Sequence, residues 1–205
     1  KQEIIHFAEI CRREVGFIRS AVSAKTKAEW ESANEKLVKY ENITDKIEYE
    51  IASYLNEVTK GDISAFSALR IKSMYRVIGE LESIGDSGEA IGRMMKRALD
   101  HGKTFDEEMI KRLDRMLDLL DVAFGAMTEN LSSPALFLKD ITNAEDAEYN
   151  INEYRNRLRE EHIVNTEKDD YNYQTGVFYI DIVQELEKMG DFIINISQSL
   201  LEKND

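Results

Sequence analysis

Glu80-Leu81-Glu82-Ser83-Ile84-Gly85-Asp86 decides the reading of this chain, because Glu185-Leu186-Glu187-Lys188-Met189-Gly190-Asp191 says nearly the same thing again. Each copy lies inside a run of helical periodicity, yet each carries a glycine. In a helix interior that costs roughly 1 kcal/mol relative to alanine. Each copy also sets two carboxylates four residues apart on one helix face, Glu82 with Asp86 and Glu187 with Asp191. Like charges at that spacing weaken a helix.

The flanking apolar residues form stripes at the 3.6-residue period. A first helix carries Ile4, Ala8, Cys11, Val15, Ile18 and Val22. Thr26-Lys27-Ala28-Glu29 has the form of a capping box and opens a second helix with Leu37, Tyr40, Thr44, Ile47, Ile51, Tyr54 and Val58. Gly61 is its expected stop. A third helix carries Met74, Val77, Leu81, Ile84, Gly88, Ile91 and Met95 and ends near His101-Gly102. The plan then restarts. Thr104-Phe105-Asp106-Glu107 reads as another capping box before Met109, Leu113, Met116, Leu120, Ala123 and Met127. Ser133-Pro134 reads as the start of a fifth helix running to about Asn165. The sixth bears Ile182, Leu186, Met189, Ile193, Ile196 and Leu200. The third stripe superposes on the sixth at one offset, and the first on the fourth at the same offset. We therefore expect an all-α fold of six helices, two tandem three-helix bundles, within a single domain made of repeat 1 (1–102) and repeat 2 (103–205).

Composition narrows the function classes. The 205 residues carry a net charge of −13. Such a surface repels phosphate backbones and anionic headgroups, so nucleic acid and direct lipid binding are set aside. Cations or a basic protein partner suit it. A single cysteine, Cys11, cannot form an internal disulfide or a thiolate zinc site and is consistent with a reduced compartment. No apolar run of about 18 residues is present to span a bilayer, and no signal-peptide pattern opens the chain. The chain begins at Lys1 with helical periodicity already running, which suggests a piece of a longer protein.

The second helix holds another Glu-x-x-x-Asp, Glu41 and Asp45. A turn back near Gly61 sets Glu41 level with Glu82, with Asp45 and Asp86 about one turn to either side. In the second half, Tyr40, Thr44, Ile47 and Ile51 fall on Ala147, Ile151, Tyr154 and Leu158. That carries Glu41 to Glu148 and Asp45 to Asn152. A turn near residue 168 independently sets Glu148 level with Glu187. The second constellation is then Glu148, Asn152, Glu187 and Asp191, one carboxylate poorer. Unit charges 4 Å apart repel by about 4 kcal/mol at an effective dielectric of about 20. Raised pKa values, a basic side chain or a bound cation would relieve this, and all-oxygen ligands suit magnesium, calcium, manganese or iron. The alternative is a solvated acidic face with Lys46, Arg76 or Lys188 as counterions.

The segments YENITDKIEYEIASYL (40–55) and YRVIGELESIGDSGEAIG (75–92) resemble the PhoU family of bacterial phosphate-uptake regulators. The similarity runs essentially the length of the chain, and Leu81 to Asp86 is its most specific element. It implies metal ligands at Glu41, Asp45, Glu82 and Asp86, and at Glu148, Glu187 and Asp191, with Asn152 departing from the acidic pattern. It further implies metal clusters of iron or zinc, with manganese and magnesium also compatible with the oxygen donors. The implied role is regulatory and not enzymatic: restraining phosphate import through a transporter and its sensor kinase, in the cytoplasm at the inner face of the plasma membrane. The wording is most like the cytoplasmic tail of bacterial sodium/phosphate cotransporters. A fused or separate transporter is thus the expected partner, and the fold leaves room for a homodimer.

Two other readings compete. A di-iron oxidase needs two Glu-x-x-His motifs facing a four-helix core. The chain offers one, Glu3-Ile-Ile-His6, while His101 and His162 lack the glutamate. A metal-free helical adaptor would instead hold a partner through outward apolar residues such as Trp30, Phe105 and the Tyr171–Tyr173 pair.

Overall fold

In a computed structural model that describes residues 1–134, 137–167 and 172–201, the described residues form six α-helices: α1 (Gln2–Val22), α2 (Lys27–Thr59), α3 (Ala65–Asp100), α4 (Glu107–Ser132), α5 (Thr142–Thr166) and α6 (Tyr173–Gln198). Helices α1, α2 and α3 pack on one another, as do α4, α5 and α6, and the two bundles join along α3 with α6 and α1 with α4. The fold is therefore the all-α pair of three-helix bundles expected from the stripes. One apolar cluster runs through both, from Phe7 and Ile18 on α1 to Leu186 and Ile196 on α6. No described helix is long and apolar enough to cross a membrane.

Local signals set most boundaries. Thr26 caps α2 in a capping box with Glu29, as the sequence reads. Gly102 takes a φ of 65° after α3, a left-handed conformation that glycine adopts without strain. Two boundaries differ. Asp106, not Thr104, caps α4 by accepting from the Met109 amide at 2.7 Å, which leaves Phe105 buried just ahead of the helix. Ser133 does not open α5. It closes α4 in an extended conformation (φ −48°, ψ 134°), because the residue before a proline is pushed out of the helical region. The connection instead runs past the end of α6, where the Leu138 amide donates to the Leu200 carbonyl at 2.8 Å, and α5 starts only at Thr142.

The α2 stripe also drifts. Thr44 and Leu37 are buried, but Tyr54 is 69% exposed and Leu55 is buried in its place. A strict heptad spacing falls behind a 3.6-residue helix by about 20° per heptad, so after two heptads the next residue faces the core. Trp30 and Phe105 are not outward either. Both are buried, the Trp30 indole donating to the Gly92 carbonyl at 2.9 Å and Phe105 meeting Tyr179 edge-on at 6.1 Å. Tyr173 is exposed, while Tyr171 and the expected turn near residue 168 lie outside the described residues.

Candidate metal centre

The repeated glycines mark where helices touch. A Cβ on Gly85 would sit 2.5 Å from Thr44 Oγ1 and 3.2 Å from Thr44 Cβ, and one on Gly190 would sit 3.1 and 3.2 Å from Ile151 Cδ1 and Cγ2. Thr44 and Ile151 are the positions that the sequence alignment of the two halves equated. Each glycine thus admits the preceding helix at close range, at the cost of helix propensity.

That contact sets the level of the carboxylates. Gly85 on Thr44 and Gly92 on Leu37 bring Asp86 level with the turn between Glu41 and Asp45. Carboxylate oxygens of Glu41, Asp45 and Asp86 all lie within 4.8 Å of one another. Glu82 falls about one turn farther along, beside Asp45 and Glu48. The register thus differs from a simple fold-back at Gly61, which would pair Glu41 with Glu82. Among the described residues none of the three makes an ion pair, since Arg93 turns to Glu89 on its own helix. Desolvation first, then the neighbouring Asp45, pushes the Glu41 and Asp86 carboxyls above their usual range, and desolvation with Asp86 does the same to Glu82.

In the second bundle Glu148, Glu187 and Asp191 are half-buried, and Arg155 joins them. Its guanidinium lies 2.9 Å from Glu187 Oε1. Asn152, at the position of Asp45, donates its amide to Glu148. Burial and then Asp191 raise the Glu187 carboxyl, while Arg155 pulls both Glu187 and Asp191 back down. Sequence reasoning missed Arg155, although it continues the Glu148–Asn152 row one turn on. The counterions it did name turn elsewhere: Lys46 to Glu50, Arg76 to Glu80 and Lys188 to Glu185.

Sequence reasoning also missed Glu14. This α1 side chain is 1% exposed, and among the described residues neither of its oxygens has a hydrogen-bond partner. Burial, with Glu41 and Asp86 nearby, pushes its carboxyl up to about 8. Phe7 and Ala21, two turns to either side, are fully buried, which was the available signal.

The first glutamate of each motif does different work. The Ser87 hydroxyl donates to Glu185 at 2.7 Å and the Asn195 amide donates to Glu80 at 3.2 Å. These bonds tie α3 to α6, leaving the second glutamate and the aspartate for the outer face.

The structure of PhoU from Pseudomonas aeruginosa superposes on the chain with a TM-score of 0.82 at 14% identity, covering 97% of this chain and 92% of that one. The fold is that of PhoU. A second PhoU, the phosphate transport system regulatory protein from Streptococcus pneumoniae, matches with a TM-score of 0.72 at 18% identity, covering 97% and 90%. No family model and no curated protein matches the sequence.

Proposed function

We propose that the chain is a PhoU-like regulator of phosphate transport carrying a divalent-cation site at Glu41, Asp45 and Asp86, with Glu82 at its edge. The supporting observation is the coincidence of a PhoU fold along nearly the whole chain with an unpaired acidic triad on α2 and α3. The donor set suits a cation, because all three donors are carboxylates and no described basic group satisfies them. A bound cation would offset their repulsion and hold α2 against α3. The second set, Glu148, Glu187 and Asp191, binds more weakly in this scheme, since a cation there must displace Arg155 from Glu187. Iron, zinc, manganese and magnesium remain the candidate ions.

In this proposal residues 1–102 and 103–205 are two repeats of one regulatory unit, which acts by binding and not by catalysis. Its partner is a phosphate transporter, fused as in sodium/phosphate cotransporters or separate, with a sensor kinase as a further partner and a second copy as another. The unit then works in the cytoplasm at the inner face of the membrane through that partner. A metal-free adaptor is the second reading, favoured by Tyr54, Ile63, Phe66 and Leu69, which are exposed around the α2–α3 turn.

One paired experiment separates the two. Element analysis after dialysis against Mn²⁺ should find metal on the wild type and none at this site in Asp45→Asn/Asp86→Asn. In a bacterium lacking its own PhoU, the wild type should restrain phosphate uptake and the double variant should not. Equal metal content in the two proteins would leave the adaptor, and unrestrained uptake with wild type would defeat the regulatory assignment.

A further inference from the structure

Glu14 belongs to the apolar interior by position, not to the acidic face. Cys11, Val15 and Ile18 surround it on α1 and are buried. An ionised carboxylate in such a place needs a proton, a basic side chain or a cation. Among the described residues no basic side chain pairs with it, and both oxygens lack a donor.

Space for it is built into α3. Its Oε2 stands 2.7 Å from where a Cβ of Gly88 would be, and Leu37 Cδ2 lies 3.6 Å from the same point. Any side chain at residue 88 would displace the carboxylate. Leu37 is one turn before Glu41 on α2, and Gly88 is two residues past Asp86 on α3. The carboxylate therefore lies against the two helices that carry the triad, outside the group of oxygens that all lie within 4.8 Å of one another. Glu41 and Asp86 are the charges that act on it most strongly.

The second bundle supplies the contrast. The superposition of the first and fourth stripes puts Leu119 at the position of Glu14. Among the described residues, the set that contains Arg155 has no interior carboxylate at this position, and the set without an ion-paired arginine has one.

We propose that Glu14 is an inner ligand of the first cation site, delivered from α1 to an ion held on its outer side by Glu41, Asp45 and Asp86. The proposal rests on the cation reading given above. It makes the site a three-helix centre with four carboxylates, which favours a hard divalent ion of six or more oxygen ligands over tetrahedral zinc.

The test titrates the intact chain with Mn²⁺ alone, by calorimetry and by thermal unfolding with and without the ion. Glu14→Gln should lower Mn²⁺ affinity by at least about tenfold, and Gly88→Ala, which pushes the carboxylate aside, should lower it in the same direction. Without metal Glu14→Gln should melt above the wild type, and saturating Mn²⁺ should reverse that order, a crossing that a packing role would not produce. If wild type binds Mn²⁺ and both variants bind it equally well, Glu14 is not a ligand, while the triad remains one. If the wild type takes up no Mn²⁺, both readings fall.

Discussion

Two acidic constellations occupy matching places in the two bundles, and they relieve their charge differently. Glu41, Asp45 and Asp86 crowd together, and among the described residues no basic side chain is ion-paired with them. Glu148, Glu187 and Asp191 share their place with Arg155, and Asn152 stands where Asp45 would be. The helix contacts beneath are alike, Gly85 on Thr44 and Gly190 on Ile151. Shared packing with different charge shows that the glycine serves the contact between helices, while the acidic residues are a separate layer that can change without disturbing it.

The largest expected effect on the metal-free protein comes from Glu14. Folding raises its carboxyl from 4.5 to about 8, so the native state holds the proton more tightly than the unfolded chain. The sign follows: stability is full below about pH 4.5 and is lost as pH rises toward about 8. At about 1.4 kcal/mol per pKa unit the loss is on the order of 5 kcal/mol. Glu41 from α2 and Asp86 from α3 face Glu14, and both are raised themselves, so they add a smaller slope of the same sign. Chelator-treated wild type should therefore show a falling urea midpoint between pH 5 and pH 8.5, and Glu14→Gln should flatten most of that fall. A flat wild-type profile would remove Glu14 from the account. The second bundle contributes less, because Arg155 opposes the upward shifts of Glu187 and Asp191.

Next in size is an exchange that makes the second constellation resemble the first. The equivalence of Thr44 with Ile151 also pairs Asp45 with Asn152 and Glu48 with Arg155. Asn152→Asp/Arg155→Glu removes the internal cation and adds two carboxylates. We expect the metal-free variant to lose about 2–3 kcal/mol, since a partly buried carboxylate loses its charged partner. Its Mn²⁺ stoichiometry should rise by one equivalent over wild type. Unchanged stoichiometry would show that Arg155 is not what distinguishes the two sets.

The sequence exposes this scaffold better than it exposes the charges. Helical periodicity is local, so the α4 stripe from Met109 to Met127 is buried throughout as expected. The Glu-x-x-x-Asp rows were legible for the same reason. Errors arose where a second influence competes with the local one. Ser133 reads as a cap, yet Pro134 forces it extended. Tyr54 continues a heptad that the 3.6-residue helix has already left, and Leu55 takes the core. The level of Asp86 against Glu41 depended on a contact between side chains of different helices, Gly85 with Thr44, which the length of the turn alone does not determine. Glu14 is the extreme case. A glutamate beside an apolar stripe ordinarily faces water, and its burial depends on α1 being packed by α2, α3 and α4 together.

The smallest effect distinguishes the two glycines. Alanine at either position gains about 1 kcal/mol of helix propensity and loses close packing. At Gly85 the added methyl would lie 2.5 Å from Thr44 Oγ1 and 3.2 Å from Thr44 Cβ. Thr44 is short, β-branched and fully buried, so it cannot turn away and the helices must part, at about 1–3 kcal/mol. At Gly190 the nearest atoms are 3.1 Å and 3.2 Å away, and the nearer, Ile151 Cδ1, is the end of a longer side chain. We therefore expect Gly190→Ala to be close to neutral and Gly85→Ala to lower stability by about 1 kcal/mol net of the propensity gain, read by chemical denaturation. Thr44→Ala should restore Gly85→Ala part of the way toward the Thr44→Ala background, because it removes Oγ1, the closest colliding atom, and Cγ2, and leaves only Cβ at 3.2 Å. The same pair also bears on the metal: parting α2 from α3 moves Glu41 and Asp45 away from Asp86, so Gly85→Ala should weaken Mn²⁺ binding while Gly190→Ala leaves it unchanged. Equal losses of affinity in the two variants would mean that the ion does not sit across the α2–α3 contact.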